Sequence, residues 1–191
     1  MAKIKSILFV GVGGQGIILA SKMLTEGLIK FGYDVKMSEV HGMAQRGGSV
    51  TTQVRFGEKV YSPLIGLGEA DVIVAFETME AARYIGYLKE GGSVVVNDYE
   101  INSMPIQVGT EVYPAGIIEK LNAGVKNVTV LKAAEIATNL GNIKAQNIVM
   151  LGALLKALGF EDLDWNTIIK DSLPERLHEL NINALKSGIN A

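Results

Sequence analysis

The chain is expected to form an α/β fold: a mixed, mainly parallel sheet with helices on both faces and a C-terminal helical arm. Three stretches predict it. Lys5 to Ser21, KSILFVGVGGQGIILAS, reads as a buried strand (Ile7 to Val10), a glycine turn and the start of a helix at Ile17. Ala70 to Glu77, ADVIVAFE, is a near-continuous apolar run of strand length, as expected where a sheet is covered on both sides. Between them, SVTTQVRF alternates like a strand but begins only about ten residues after the strand that ends at Val40. A parallel crossover needs roughly a dozen residues or more, so this pair is expected to be antiparallel or only loosely paired.

The elements follow in order. Ile17, Ile18, Met23, Leu24 and Leu28 recur at helical spacing, so the first helix runs to about Lys30 and ends at Phe31-Gly32. Asp34 to Val40 is the second strand. Val50, Thr52, Val54 and Phe56 share one face of the third, with Thr51, Gln53 and Arg55 on the other. Gly57-Glu58 is expected to turn the chain into a hairpin with Lys59-Val60-Tyr61. After Glu77, Thr78 can cap a helix carrying Ala81, Ala82, Ile85 and Leu88, which Gly91-Gly92 would stop before a strand at Ser93 to Val96. Tyr99 to Pro114 reads as irregular. Ala115 to Asn122 is a short helix, Val128 to Leu131 a strand, and Ala133 to Asn139 a helix closed by Gly141. Ile143 to Leu158 is the clearest amphipathic helix, ended by Gly159. Asp164 or Asn166 caps the next, and Pro174 breaks it. The tail keeps Leu177, Leu180 and Leu185 but is expected to stand far from any obvious core. Residues 1–191 are therefore read as one domain whose last part, from about 160, is a helical arm. The plan is a modified Rossmann-like sheet, mixed parallel with an antiparallel hairpin insertion.

Bulk composition narrows the function. The 191 residues carry a net charge of -2, so no basic surface invites nucleic acid. The absence of cysteine removes disulfides, thiolate catalysis and cysteine-held zinc or iron–sulfur centres from this chain, and fits a reducing, cytoplasmic setting. The start, MAKIKSILFVGVGG, resembles a signal peptide only weakly, because glycines interrupt its apolar run; it is read as the first core strand. No charge-free stretch is long enough to span a bilayer.

Chemistry concentrates in two glycine-containing loops. Gly11, Gly13 and Gly16 fit G-x-G-x-x-G, with Gly14 and Gln15 between them. Such a turn before a helix can present N–H groups to a phosphate or a partner; equally, it can be a tight corner with no ligand. The second loop, HGMAQRGGS, supplies His41, Gln45, Arg46, Gly47 and Ser49 at the same sheet edge, where open α/β folds bind ligands. The two loops are expected to form one polar, close-approach surface, on which Arg46 could grip a phosphate or a carboxylate. Glu39 lies near where a dinucleotide fold places its ribose-binding acid. Asn147 is either a buried hydrogen-bonder or a boundary residue. Glu77 and Asp98, at strand ends, are the only candidate paired acids, but nothing in their spacing brings them together and solvated strand ends are the favoured reading; His178 is read as an ordinary surface or core residue. No general base, nucleophile or redox group emerges, so no catalytic residue is assigned and the chain reads as part of a catalyst.

The segments FVGVGGQGIILAS, SEVHGMAQRGGSVTTQVRFG and ADVIVAFETMEAARYIGYLKEGGSVVVND, with LPERLHELNINALKSG near the end, resemble the gamma-type subunits of 2-oxoacid:ferredoxin oxidoreductases, most nearly those of the indolepyruvate branch. The resemblance implies oxidative decarboxylation of a 2-oxoacid, here an arylpyruvate, with coenzyme A and oxidised ferredoxin giving acyl-CoA, carbon dioxide and reduced ferredoxin. It implies that thiamin diphosphate and 4Fe–4S clusters sit on a larger partner subunit, that CoA is a co-substrate, that ferredoxin is met through the complex, and that the isolated chain is inactive. Gly11, Gly13, Gly14, Gln15 and Gly16, with His41, Gln45, Arg46, Gly47 and Ser49, would then face the partner's cofactors, and the arm would dock on that subunit. Two other readings stand beside it: a stand-alone NAD-binding enzyme, resting on Gly11, Gly13, Gly16 and Glu39, and a non-catalytic scaffold module.

Overall fold

The computed structural model describes residues 4–41 and 47–191, and for His41 the backbone alone. Its core strand β1 (Lys5–Val12) is buried from Ser6 onward. The glycine turn leads into α1 (Ile17–Lys30), then β2 (Asp34–His41) and β3 (Ser49–Gly57). Next come β4 (Ala70–Ala75), α2 (Thr78–Tyr84) and β5 (Leu88–Asn97). A short helix α3 (Met104–Gln107) precedes α4 (Ile117–Gly124), β6 (Asn127–Leu131) and α5 (Ala133–Asn139). Helices α6 (Gln146–Leu158), α7 (Trp165–Ser172) and α8 (His178–Ile189) complete the chain.

The six strands form one sheet in the order β2-β3-β1-β4-β5-β6. β3 is antiparallel to both β1 and β2, while β1, β4, β5 and β6 run parallel. The expected antiparallel insertion is therefore β3 itself, placed between β1 and β2. Alternation along β1 feeds both sides of the sheet. Ile7 and Phe9 join a large core with α1, α5, α6, α7 and α8, and Leu8 and Val10 a smaller one with α2 and α4. The Ile73 and Ala75 side chains of β4 join that second core, and Val72 and Val74 the first, which explains the unbroken apolar run.

Three expectations are corrected. Lys59–Tyr61 is not a strand. Residues 58–69 instead form a strap whose backbone groups are met by side chains: Val60 N–H donates to Asp34 Oδ2 (2.8 Å), Ile65 N–H to Gln53 Oε1 (2.6 Å), and Arg55 Nη1 donates to Leu64 O (3.0 Å). Once satisfied in this way, the strap has no need of a ladder. Second, the helix after β4 stops at Tyr84 and β5 begins at Leu88; a register shift between its first and later pairs with β4 carries the strand through Gly91-Gly92, where the expected helix would have ended. Third, the C-terminal segment is helical but does not stand away from the core. α8 lies against α6 so closely that a Cβ on Gly188 would sit 1.9 Å from Val149 O, and one on Gly152 2.2 Å from Leu185 O. Ala184 and Leu185 are buried in the large core.

Candidate functional site

The parallel strands β1, β4 and β5 deliver their carboxyl ends to one edge, and β3 starts from it. The helix after β1 packs on one face of the sheet and the helix after β4 on the other. The gap between β1 and β4 is thus the switch point where such sheets form a ligand crevice. Here the chain fills that gap itself. Gln15, only 5% exposed, turns inward: its Oε1 accepts from Val12 N–H (2.8 Å), and its Nε2 donates to Phe76 O (2.7 Å) across the gap. A Cβ on Gly11 would lie 2.8 Å from Gln15 Oε1, Ile17 Cδ1 and Phe76 Cβ. Gly16, in the left-handed region at φ 79°, caps α1, and a Cβ there would meet Asn147 Nδ2 at 2.7 Å. Asn147 Nδ2 donates to Gly16 O (3.3 Å), so this asparagine is a buried hydrogen-bonder rather than a boundary residue.

The two glycine loops do meet. Gly13 N–H donates to Gly48 O (2.9 Å), and Val12 is paired with Ser49 in the β1–β3 register. Of the expected site residues, Gly11 and Gln15 point into the core. Gly13, Gly14, Gly16, Gly47 and Ser49 lie at the rim, with Gly14 and Gly47 exposed. Gln45, Arg46 and the His41 side chain fall outside the described residues. Glu39 stands on β2, separated from β1 by the whole of β3, and pairs with Lys22 (3.7 Å). A dinucleotide held at the turn would find Glu39 one strand too far away and the crevice occupied by carboxamides.

Sequence reasoning missed the polar residues that brace this edge. Glu77 is not a solvated strand end but fully buried, and it, not Thr78, caps α2 by accepting Glu80 N–H (2.8 Å). It also accepts Ile101 N–H (3.2 Å) and the Tyr113 hydroxyl. Asp98 is exposed, as expected. Glu80, 3% exposed, accepts the Ser49 hydroxyl (2.5 Å) and pairs with Arg83 (3.1 Å). Burial pushes the Glu80 carboxyl above its ordinary range and Glu77 adds to that, while Ser49 and Arg83 pull it down. Tyr113 is raised by burial and by its bond to Glu77. Asn97, fully buried, donates to Phe76 O (3.2 Å) and accepts Ala133 N–H (2.8 Å), tying β5 to β4 and α5. Glutamate is not among the usual N-cap residues, so nothing local in the sequence shows that Glu77 caps the helix or that both acids are enclosed. Among the described residues, no three His, Asp or Glu side chains are grouped to hold a metal. With no cysteine either, an iron–sulfur cluster does not fit this chain.

The sequence profile of pyruvate ferredoxin/flavodoxin oxidoreductases matches residues 6–191. The chain belongs to that family. It is a small subunit of a 2-oxoacid:ferredoxin oxidoreductase, and works as an enzyme only as part of that complex. It is 39% identical over 193 residues to indolepyruvate oxidoreductase subunit IorB of Thermococcus kodakarensis, covering 97% of this chain and 95% of the relative. The crystal structure of the keto/oxoacid ferredoxin oxidoreductase gamma subunit from Geobacter sulfurreducens superposes with a TM-score of 0.72 at 25% identity, over 97% of this chain and 96% of that one. The fold is also shared, at a TM-score of 0.74 and 20% identity, with 2-oxoglutarate:ferredoxin oxidoreductase from Magnetococcus marinus. There it spans 31% of the longer chain, against 98% of this one. The small subunit so described carries no helix long and apolar enough to cross a membrane among its described residues.

Proposed function

We propose that this small subunit completes the reaction chamber of an arylpyruvate:ferredoxin oxidoreductase, with indolepyruvate as the leading substrate. The larger partner subunit holds thiamin diphosphate and 4Fe–4S clusters, CoA enters as co-substrate, and ferredoxin collects the electrons. Thiamin diphosphate supplies the carbanion stabilisation that decarboxylation requires. This chain's own contribution is a backbone-lined wall. Gly13, Gly14 and Gly47 let another surface approach the main chain closely, and a closed wall keeps water from the reacting groups. Arg46 and His41 extend the same loop and are assigned to the same face.

One observation carries the reading: the Gly13–Gly48 hydrogen bond joins the two glycine loops into a single rim, above a crevice already filled by Gln15 and Asn147. Such a rim is suited to meeting a second surface rather than to holding a nucleotide of its own. The substrate class rests on likeness to the indolepyruvate oxidoreductase subunits.

Co-expression with the thiamin-containing subunit tests it, with 2-oxoacid-dependent dye reduction compared across indolepyruvate, phenylpyruvate, pyruvate and 2-oxoglutarate. Gly47 is exposed at φ 77°, and among the described residues no atom lies within 4 Å of a Cβ built there, so Gly47→Asp adds charge and bulk to the face at the cost of left-handed backbone strain, which Asp and Asn bear better than other side chains. That variant and Arg46→Ala are expected to lose turnover at least ten-fold relative to wild type, about 1.4 kcal/mol of barrier. If both assemble and turn over normally, the face assignment is wrong; tight NAD(H) binding by the chain alone would overturn the whole reading.

A further inference from the structure

Glu77 and Glu80 are nearly inaccessible, at 0% and 3% exposure, in a chain that places its other described acids at or near the surface. An enclosed carboxylate is costly unless fixed dipoles or cations compensate it, and the identity of the compensating groups says what the acid holds in place. Glu80 is met by Ser49 Oγ at 2.5 Å and by Arg83 at 3.1 Å. Ser49 also lies 3.3 Å from the Tyr84 hydroxyl. Ser49 follows Gly48, whose carbonyl takes Gly13 N–H. Glu77, joined to Glu80 through the Glu80 N–H, holds Ile101 N–H and the Tyr113 hydroxyl. A continuous set of hydrogen bonds therefore runs along the edge from the first glycine turn, through residues 48–49 and the first turn of α2, to the segment from 101 to 113.

We infer that Glu80 is a positioning residue for the rim: its enclosed carboxylate grips Ser49 and so holds the 47–49 corner against Gly13 in the geometry that meets the partner subunit. This rests on the reading of the rim as the partner-facing wall. Glu80 does not touch the reacting groups; it acts through Ser49. Without the carboxylate the Ser49 hydroxyl keeps only the longer contact to Tyr84, and the corner is held by the Gly13–Gly48 bond and the β1–β3 ladder. Glutamine, of the same length, can still bond Ser49 through its carboxamide.

The test uses the full chain and its complex with the large subunit, in four variants: Glu80→Ala, Glu80→Gln, Ser49→Ala and Gly47→Asp. Amide hydrogen exchange on the full chain should accelerate about ten-fold or more over residues 48–50 in Glu80→Ala and Ser49→Ala, with α6 unchanged, as local opening loses one charge-assisted bond. In the complex, KM for CoA or 2-oxoacid should rise several-fold in both, with kcat reduced less, and Glu80→Gln should recover most of both readouts. Unchanged exchange at 48–50, or unchanged KM in Glu80→Ala and Ser49→Ala, overturns the inference. Should Glu80→Ala not fold, Ser49→Ala decides alone, because it removes one hydroxyl from a half-buried position. The two failures separate: a silent Gly47→Asp sinks the rim as a partner face, whereas a disruptive Gly47→Asp with a silent Ser49→Ala sinks only the positioning role.

Discussion

Gln15 separates a ligand corner from a packed corner, and its removal has a calculable cost. Gln15→Ala strips the acceptor from Val12 N–H in a site only 5% exposed. A buried donor left unmet costs about 1–3 kcal/mol. Phe76 O loses one donor but keeps Asn97 Nδ2 at 3.2 Å, so its share is about 0.5–1 kcal/mol. The loss sums to roughly 2–4 kcal/mol; at roughly 2–4 °C per kcal/mol for a chain of this size, Tm should fall by roughly 4–16 °C. Urea and thermal unfolding of the purified chain measure it. Gln15→Glu serves as a control. Its ionised form cannot donate to Phe76 O, so near pH 7 it should be at least as unstable as Gln15→Ala. Burial is expected to favour its neutral form, so stability should return as pH falls and the carboxyl regains a proton. A Gln15→Ala variant within about 0.5 kcal/mol of wild type, the size of an ordinary surface change, would refute the packed-corner reasoning.

Other variants probe the rest of the frame. Gly152→Ala and Gly188→Ala each place a methyl against backbone of the facing helix, and should destabilise by about 1–3 kcal/mol despite the roughly 1 kcal/mol helix preference of Ala; chemical unfolding gives the value. Asn97→Ala orphans Ala133 N–H and should cost about 1–3 kcal/mol, read by the same assay. Glu80 has its pKa raised chiefly by burial, so wild-type stability should decline as pH rises from the unfolded carboxylate value through the folded one; Glu80→Gln should lack that decline in a pH series of unfolding curves. Asp34 is held low first by its bond from Lys36, then by Val60 N–H, so its contribution is present above the unfolded value and lost as pH falls through the folded one. Asp34→Asn should flatten that acid limb.

Much of the fold was legible because its signals are local. The apolar run of β4, the helical spacing of α1 and the bounds of α5 were read almost residue for residue, and the short connection after Val40 revealed the antiparallel β3. The strap at residues 58–69 was not, because Asp34, Gln53 and Arg55 meet its backbone from distant positions. The site was legible in part. That the two glycine loops share one edge followed from topology, and the Gly13–Gly48 bond agrees with it. That Gln15 faces inward, that Glu39 lies a strand away and that Glu80 holds Ser49 did not follow.

By itself the sequence determined the alternation of strands and helices, the reversed strand, the absence of any cysteine-held metal and the family resemblance. These depend on spacing and composition along the chain. The tertiary structure decided which face α8 covers, whether the glycine corner is open or filled, and which acids are enclosed. Each of those turns on contacts between residues tens of positions apart, such as Gln15 with Phe76 or Gly152 with Leu185, where a few ångströms separate a pocket from a packed core.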